Sequence, residues 1–163
     1  AVAIGEAAAR GRGEVLTMPD AKTVLIVDDE IDMRLFLATL METNGYAHVL
    51  AKNGAEGLEA AAAKAPDLIV LDIMMPKEGG VQMYGQLKTR PPLKHIPVVI
   101  LSAISRKTFY HYLKMLSVRL GDSIPEPEAY LEKPPEADEV LAVVRRLIGG
   151  GPAQPERKAE VPT

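Results

Sequence analysis

Cysteine and tryptophan are absent from the 163 residues, and aromatic residues make up only 4% of them. Without cysteine there is neither a disulfide nor a thiolate-held metal, which fits a reducing compartment. With so few aromatics the core must be aliphatic. No apolar run approaches the ~18–20 residues that a membrane-spanning helix needs. The first stretch, Ala1 to Thr17, is broken by Glu6, Arg10, Arg12 and Glu14 and so lacks the continuous apolar region of a signal peptide. Basic residues are not in excess either. Lysine and arginine number 19 against 22 acidic residues, a net charge of −3, whereas a nucleic-acid binder usually carries a basic field that neutralises phosphates. These features predict a cytoplasmic protein with no direct nucleic-acid binding and no membrane partner.

What is present is the composition of an ordinary globular domain, 47% hydrophobic and 25% charged. The ends differ from the middle. Residues 1–20 are rich in Ala, Gly and Arg without a firm period, and read as a flexible extension in which Met18 could be the native start. From Gly149 the sequence Gly-Gly-Gly-Pro opens a polar stretch to Thr163 that reads as a disordered tail. The remainder, 21–148, has the size of one domain.

Within it, apolar runs rich in Val, Ile and Leu occur at Thr23–Val27, Asp67–Leu71 and Pro97–Leu101, with weaker ones at Ala47–Ala51 and Ala129–Leu131. Continuous short runs suit strands buried on both faces. Helical patterns lie between them. Ile31–Thr43 places Met33, Phe36, Leu37, Leu40 and Met41 on one stripe before the stop Asn44-Gly45. Asn53 can cap Ala55–Lys64, which Pro66 closes, and Val81–Lys88 is shorter. Ser105–Leu120 ends at Gly121, and Glu136–Ile148 ends at the glycines. Strand and helix alternate five times, which predicts a doubly wound, five-stranded parallel α/β sheet with helices on both faces.

In such sheets chemistry gathers at the carboxyl ends of the strands. Reading each strand to that end yields Asp28 and Asp29, then Asp72, Ser102 and Lys133. Any one of these is ordinarily a turn former, a helix cap or a solvated loop residue; their joint occurrence at four strand ends is what points to a site. Clustered carboxylates repel one another unless a cation sits among them. With no His or Cys in the set, hard oxygen donors favour Mg²⁺ over zinc. A lysine and a hydroxyl opposite suit phosphoryl oxygens, and aspartate can itself be the nucleophile in phosphoryl transfer. The residues alone therefore suggest a Mg²⁺-dependent aspartyl-phosphate site.

The sequence also resembles the receiver domain of bacterial two-component response regulators. The likeness is carried by Val24-Leu25-Ile26-Val27-Asp28-Asp29-Glu30, by Asp67 to Pro76 around Asp72 with Gly80 following, by Pro97 to Ala103 around Ser102, and by Ala129-Tyr130-Leu131-Glu132-Lys133-Pro134. The resemblance implies a flavodoxin-like receiver fold in which Asp72 is the phosphoacceptor for a sensor histidine kinase, a phosphotransfer protein or a small acyl phosphate. Asp28, Asp29, Asp72 and the backbone carbonyl of Met74 would hold Mg²⁺. Lys133 would pair with the phosphoryl oxygens, Ser102 would move to hydrogen-bond them, and Tyr130 would turn inward behind it. It also implies a cis Lys133–Pro134 bond. The face of the fourth helix, fifth strand and fifth helix would switch a downstream target or a homodimer. On this reading the chain is not an enzyme beyond its own phosphorylation and dephosphorylation.

Two departures from the family pattern stand out. The interval from Ser102 to Lys133 is about nine residues longer than the resemblance leads one to expect, and holds Phe109, Tyr110, Tyr112 and Tyr130. Either Phe109 and one tyrosine pack the helix down while the rest are exposed, or the aromatics build a modified output face. Met74 and Ile104 fill the two positions that tune dephosphorylation in this family, and neither can orient a water, so a long-lived aspartyl phosphate is expected. Flavodoxin-like, dinucleotide-binding and haloacid-dehalogenase-type readings each lack a needed motif, such as G-x-G-x-x-G or a second Asp where Met74 stands. The remaining alternative is a receiver-fold scaffold that binds a partner without being phosphorylated.

Overall fold

The structure, a computed structural model, describes residues 20–75 and 79–150. Pro76 and nearly all of both terminal stretches lie outside the described residues. Five parallel strands, β1 (Thr23–Val27), β2 (Ala47–Ala51), β3 (Leu68–Leu71), β4 (Val98–Ser102) and β5 (Ala129–Glu132), form one sheet in the order β2-β1-β3-β4-β5. The helices are α1 (Ile31–Thr43), α2 (Gly54–Lys64), α3 (Gly80–Thr89), α4 (Arg106–Leu120) and α5 (Ala137–Ile148). The expected doubly wound α/β sheet is therefore present.

The three central strands are apolar throughout because both of their faces are covered. Leu25, Val27, Ile69, Leu71, Val98 and Ile100 point to one side, where α2, α3 and α4 pack around Met83, Tyr84 and Phe109. Val24, Ile26, Leu68, Val70, Val99 and Leu101 point to the other, against α1 and α5. β2 and β5 are edges with half-buried side chains, which is why their runs are weaker in the sequence.

Helix boundaries follow local capping chemistry. The Asn53 side chain accepts from the Glu56 amide at 2.8 Å and Ser105 from Thr108 at 3.2 Å, so these residues are caps and not first turns. Gly121 closes α4 at φ 72°, a left-handed conformation that glycine adopts without steric cost. One stripe differs from expectation. In α1 the buried residues are Leu37, Ala38 and Met41, whereas Phe36 is 39% exposed, because only a narrow side of this helix faces the sheet. Gly149 and Gly150, expected to open the tail, are fastened by the buried Tyr46, whose hydroxyl donates to their carbonyls at 2.8 and 3.2 Å. The Lys133–Pro134 bond is cis.

The long interval before β5 is folded onto α3. Ile124 is buried, and the Tyr84 hydroxyl donates to the carbonyl of Pro125. Glu128 then makes a two-armed tie: one carboxylate oxygen accepts from Lys88 Nζ at 2.6 Å and the other from the Val98 amide at 2.7 Å. Lys88 also donates to the Ile96 carbonyl at 3.3 Å, and its side chain is 2% exposed against 34% for Glu128. Phe109 lies at the centre of the aromatics, with ring centroids 5.5–5.7 Å from Tyr84, Tyr110 and Tyr130. Three of the four aromatics of this interval thus pack together, and Tyr112 stays exposed.

The unequal burial of the Lys88–Glu128 pair makes the two single substitutions unequal. Glu128→Ala strands a buried ammonium and is expected to cost about 3 kcal/mol or more. Lys88→Met leaves a carboxylate that water can reach and fills the same volume, so urea unfolding should show the smaller loss for it.

Candidate functional site

Sheet register brings the site together. β1 and β3 pair with Val27 opposite Leu71, so Asp28 and Asp72 leave the sheet side by side. β4 and β5 pair with Ser102 opposite Glu132, which sets Lys133 at the same edge, its amide donating to the Ser102 carbonyl at 2.8 Å. All the residues singled out at strand ends thus lie along one edge. Gly80 permits this packing from below: a Cβ there would collide with the backbone carbonyl of Asp72, so α3 can begin directly against the end of β3 only with glycine at that position.

Asp28 and Asp72 are each 2% exposed, and Ser102 is fully buried. The Asp28 amide donates to Ala51 and that of Asp72 to Val27, continuing the ladder one residue past the strands. Lys133 Nζ reaches Asp28 Oδ2 at 2.9 Å, Glu30 Oε1 at 3.1 Å and Asp72 Oδ2 at 3.3 Å. The other oxygen of Asp72 accepts from the Met74 amide at 3.0 Å. Asp28 Oδ1 accepts from the Glu30 amide at 2.9 Å, and Arg34 donates to the Asp28 carbonyl at 2.7 Å. Every buried carboxylate oxygen therefore has a partner, as low-dielectric surroundings require.

Electrostatics follow burial first. Desolvation raises the pKa of Asp72, against the opposing pull of the Met74 amide and Lys133, and the nearby charge of Asp28 adds to the rise. Burial disfavours the charge on Lys133, but its bond to Asp28, the charges of Asp72 and Asp28 and the bond to Glu30 together outweigh that, and its pKa rises. Lys133 is thus a firmly held cation.

Asp28, Asp29, Glu30 and Asp72 each offer a carboxylate oxygen, all within 4.8 Å of one another. The oxygen-only donor set, half buried and half facing solvent, suits a hard divalent cation that keeps several waters. Glu30 is the functional residue that strand-end reading missed. It stands three positions past β1, where a side chain ordinarily faces solvent, and its side chain is 61% exposed; only the position of Lys133 across the edge shows its part.

Tyr130 packs against Phe109, and its hydroxyl donates to the Ile104 carbonyl at 2.6 Å, so its ring already lies inward. Burial, with the charges of Glu132 and Asp72 behind it, pushes its pKa up to about 12. Ile104 is half-buried against the core, whereas Met74 is 55% exposed.

Comparison with known proteins places this geometry. A family model described as the response regulator receiver domain matches residues 24–145. The polar-differentiation response regulator DivK of Brucella anthropi is 33% identical over 129 residues, spanning 78% of this chain and 97% of that protein. Among solved structures, the signal receiver domain of a histidine kinase from Syntrophus aciditrophicus is 27% identical with a TM-score of 0.66, covering 88% of this chain and 98% of that one. The receiver domain of the sensor histidine kinase PA1611 from Pseudomonas aeruginosa, described with a magnesium ion coordinated in its active site cleft, shares the fold. It has a TM-score of 0.68 at 18% identity, over 80% of this chain and 99% of that one. With a parallel sheet that delivers acids, hydroxyl and lysine to one edge, and with this match along most of its length, the chain belongs to the response regulator receiver domain family.

Proposed function

We propose that the domain is a phosphorylation switch in which Asp72 accepts a phosphoryl group from a phosphohistidine on a sensor kinase or phosphotransfer protein, in a Mg²⁺-dependent reaction. The observation that carries this reading is the pairing of a buried Asp72 with a largely covered Lys133 inside a ring of carboxylates. An Asp72 oxygen attacks phosphorus, the phosphorus–nitrogen bond of the donor breaks, and its electron pair returns to the imidazole, which then takes a proton from solvent. Catalysis here is mostly positioning and charge neutralisation. Mg²⁺, when bound, supplies positive charge against the phosphoryl oxygens. Asp28, Asp29 and Asp72 would hold it, with the Met74 carbonyl as the family resemblance implies, and the magnesium described for the PA1611 receiver fits the same chemistry.

Lys133 starts on three carboxylates and would exchange those contacts for phosphoryl oxygens. Ser102, on the neighbouring strand end, would donate its hydroxyl to the same oxygens, drawing the β4–α4 turn toward the site. Tyr130 bonds to Ile104 in that turn and would transmit the shift to the α4/β5/α5 face. The donor's approach is favoured on the α1 side, where Ile31 and Leu35, 61% and 56% exposed, form an apolar rim beside the carboxylates. No helix among the described residues is long and apolar enough to cross a membrane, and a cytoplasmic setting is the one in which such a donor operates.

Intact-mass analysis after incubation with acetyl phosphate and Mg²⁺ should show one added phosphoryl group on the wild type and none on Asp72→Asn. No adduct, together with no Mg²⁺ binding, would favour the unphosphorylated scaffold. Lys133→Met leaves two buried carboxylates unpaired, and in a chelator it should lower unfolding free energy by about 3 kcal/mol. Added Mg²⁺ should recover most of that loss in urea titrations, and more than it adds to the wild type. The adduct should persist, because neither Met74 nor Ile104 can orient an attacking water. Met74→Gln, at an exposed position, should shorten its half-life severalfold in a mass-spectrometric time course.

A further inference from the structure

A trough of about 340 Å³ lies between α3 and α4, outside the carboxylate site, floored by Ile73, Val81 and Leu116 and edged by Met74, Tyr112 and Met115. The last three are 55%, 44% and 56% exposed, and Val118 beyond them is 79% exposed. This is more apolar surface than one helix of a monomeric domain usually leaves to water, and methionines suit a surface that adapts to another chain. Charge on the two walls is one-sided. Neither α3 nor α4 contains an acidic residue, although the whole chain is at −3. α4 carries Lys107, Lys114 and Arg119, with Arg119 in the lining itself, whereas the guanidinium of Arg106 is spent on the ring and hydroxyl of Tyr110. The one base of α3, Lys88, is consumed by Glu128, so α4 alone supplies the positive rim.

We infer that this trough docks an acidic amphipathic helix of a target protein, apolar side inward and acids toward the α4 rim. A third helix lying between two others follows ordinary ridge-in-groove packing, with anchors at i, i+3, i+4 and i+7. The apolar floor supplies affinity and the cationic rim selects the sign of the partner. The trough is also wired to Asp72. The Met74 amide donates to Asp72 Oδ1 while the Met74 side chain edges the trough, so converting the carboxylate to an acyl phosphate takes the anionic charge off the acceptor that holds Met74 in place and weakens that bond. That last coupling rests on the phosphoacceptor reading above. The docking itself does not.

The test uses two labelled peptides of about 16 residues with one leucine stripe at helical spacing, one flanked by glutamates and the other by lysines. Fluorescence anisotropy with the full chain should show the glutamate peptide binding at least about tenfold more tightly. Met115→Asp and Arg119→Glu, both at the surface, should each abolish that preference, while Leu35→Asp on α1 should not alter it. Methyl spectra of the seven methionines should move at Met74 and Met115 and stay still at the buried Met41 and Met83. Equal binding of the two peptides, or shifts elsewhere, would overturn the assignment. So would a doubling of mass in light scattering that Met115→Asp removes, since the trough would then belong to a second copy of the chain. Repeating the titration with acetyl phosphate and Mg²⁺, with the adduct read by mass, should change affinity by about fivefold or more. Unchanged affinity on phosphorylated protein overturns the Met74 link. Intact groove binding with neither an adduct nor Mg²⁺ binding overturns the phosphoacceptor reading and leaves the docking site standing.

Discussion

The ammonium group of Lys133 stands between Asp28 and Asp72, two carboxylates that the sheet brings side by side and shields from water, with Glu30 closing the ring from the solvent side. Without a cation at that point, the parallel arrangement of β1 and β3 would force like charges together in low dielectric. The fold therefore contains an electrostatic problem that only positive charge solves, and the domain's chemistry grows from the ways of supplying it. A lysine does so in this structure, and the four clustered carboxylates offer oxygens with which a divalent cation could share the task. The same burial that shields the pair from water raises the pKa of Asp72.

Around this centre the molecule divides into a part tied down by many contacts and a part joined to the site by single hydrogen bonds. The fixed part includes the interval before β5. Its Glu128 ties Lys88 of α3 to the first residue of β4, and Ile124 and Pro125 fasten it to α3. That brace holds β5 at its start, which leaves its far end, with Tyr130 and Lys133, placed by the site. The part that the proposed switch would move is the turn from Ser102 to Ile104, joined to Tyr130 through one hydrogen bond, and the segment at Met74, joined to Asp72 through another. Each leads to a different face of α4, one shared with β5 and the other with α3.

Much of this was legible in the linear order of residues. Buried parallel strands read as continuous apolar runs, so β1, β3 and β4 could be placed within a residue, and the acids, the serine and the lysine at their ends followed. The edge strands were weaker because half of each is open to solvent. Phe36 misled because an aromatic at helical spacing looks like core whether or not the sheet is wide enough to cover it. Glu30 was passed over because its partner lies 103 residues away. The Lys88–Glu128 tie was hidden for the same reason, with 40 residues between two groups that each look like ordinary surface charge.

The sequence by itself determined the class of fold, the order of its elements and the chemical types gathered at the strand ends, because these depend on local periodicity and on a rule of topology. Only the tertiary structure decided which charges neutralise one another, which way the added loop folds and where apolar surface is left over. Those outcomes depend on distances between elements far apart in the chain. A salt bridge of about 3 Å and a trough between two helices exist only once the sheet has set both sides in place.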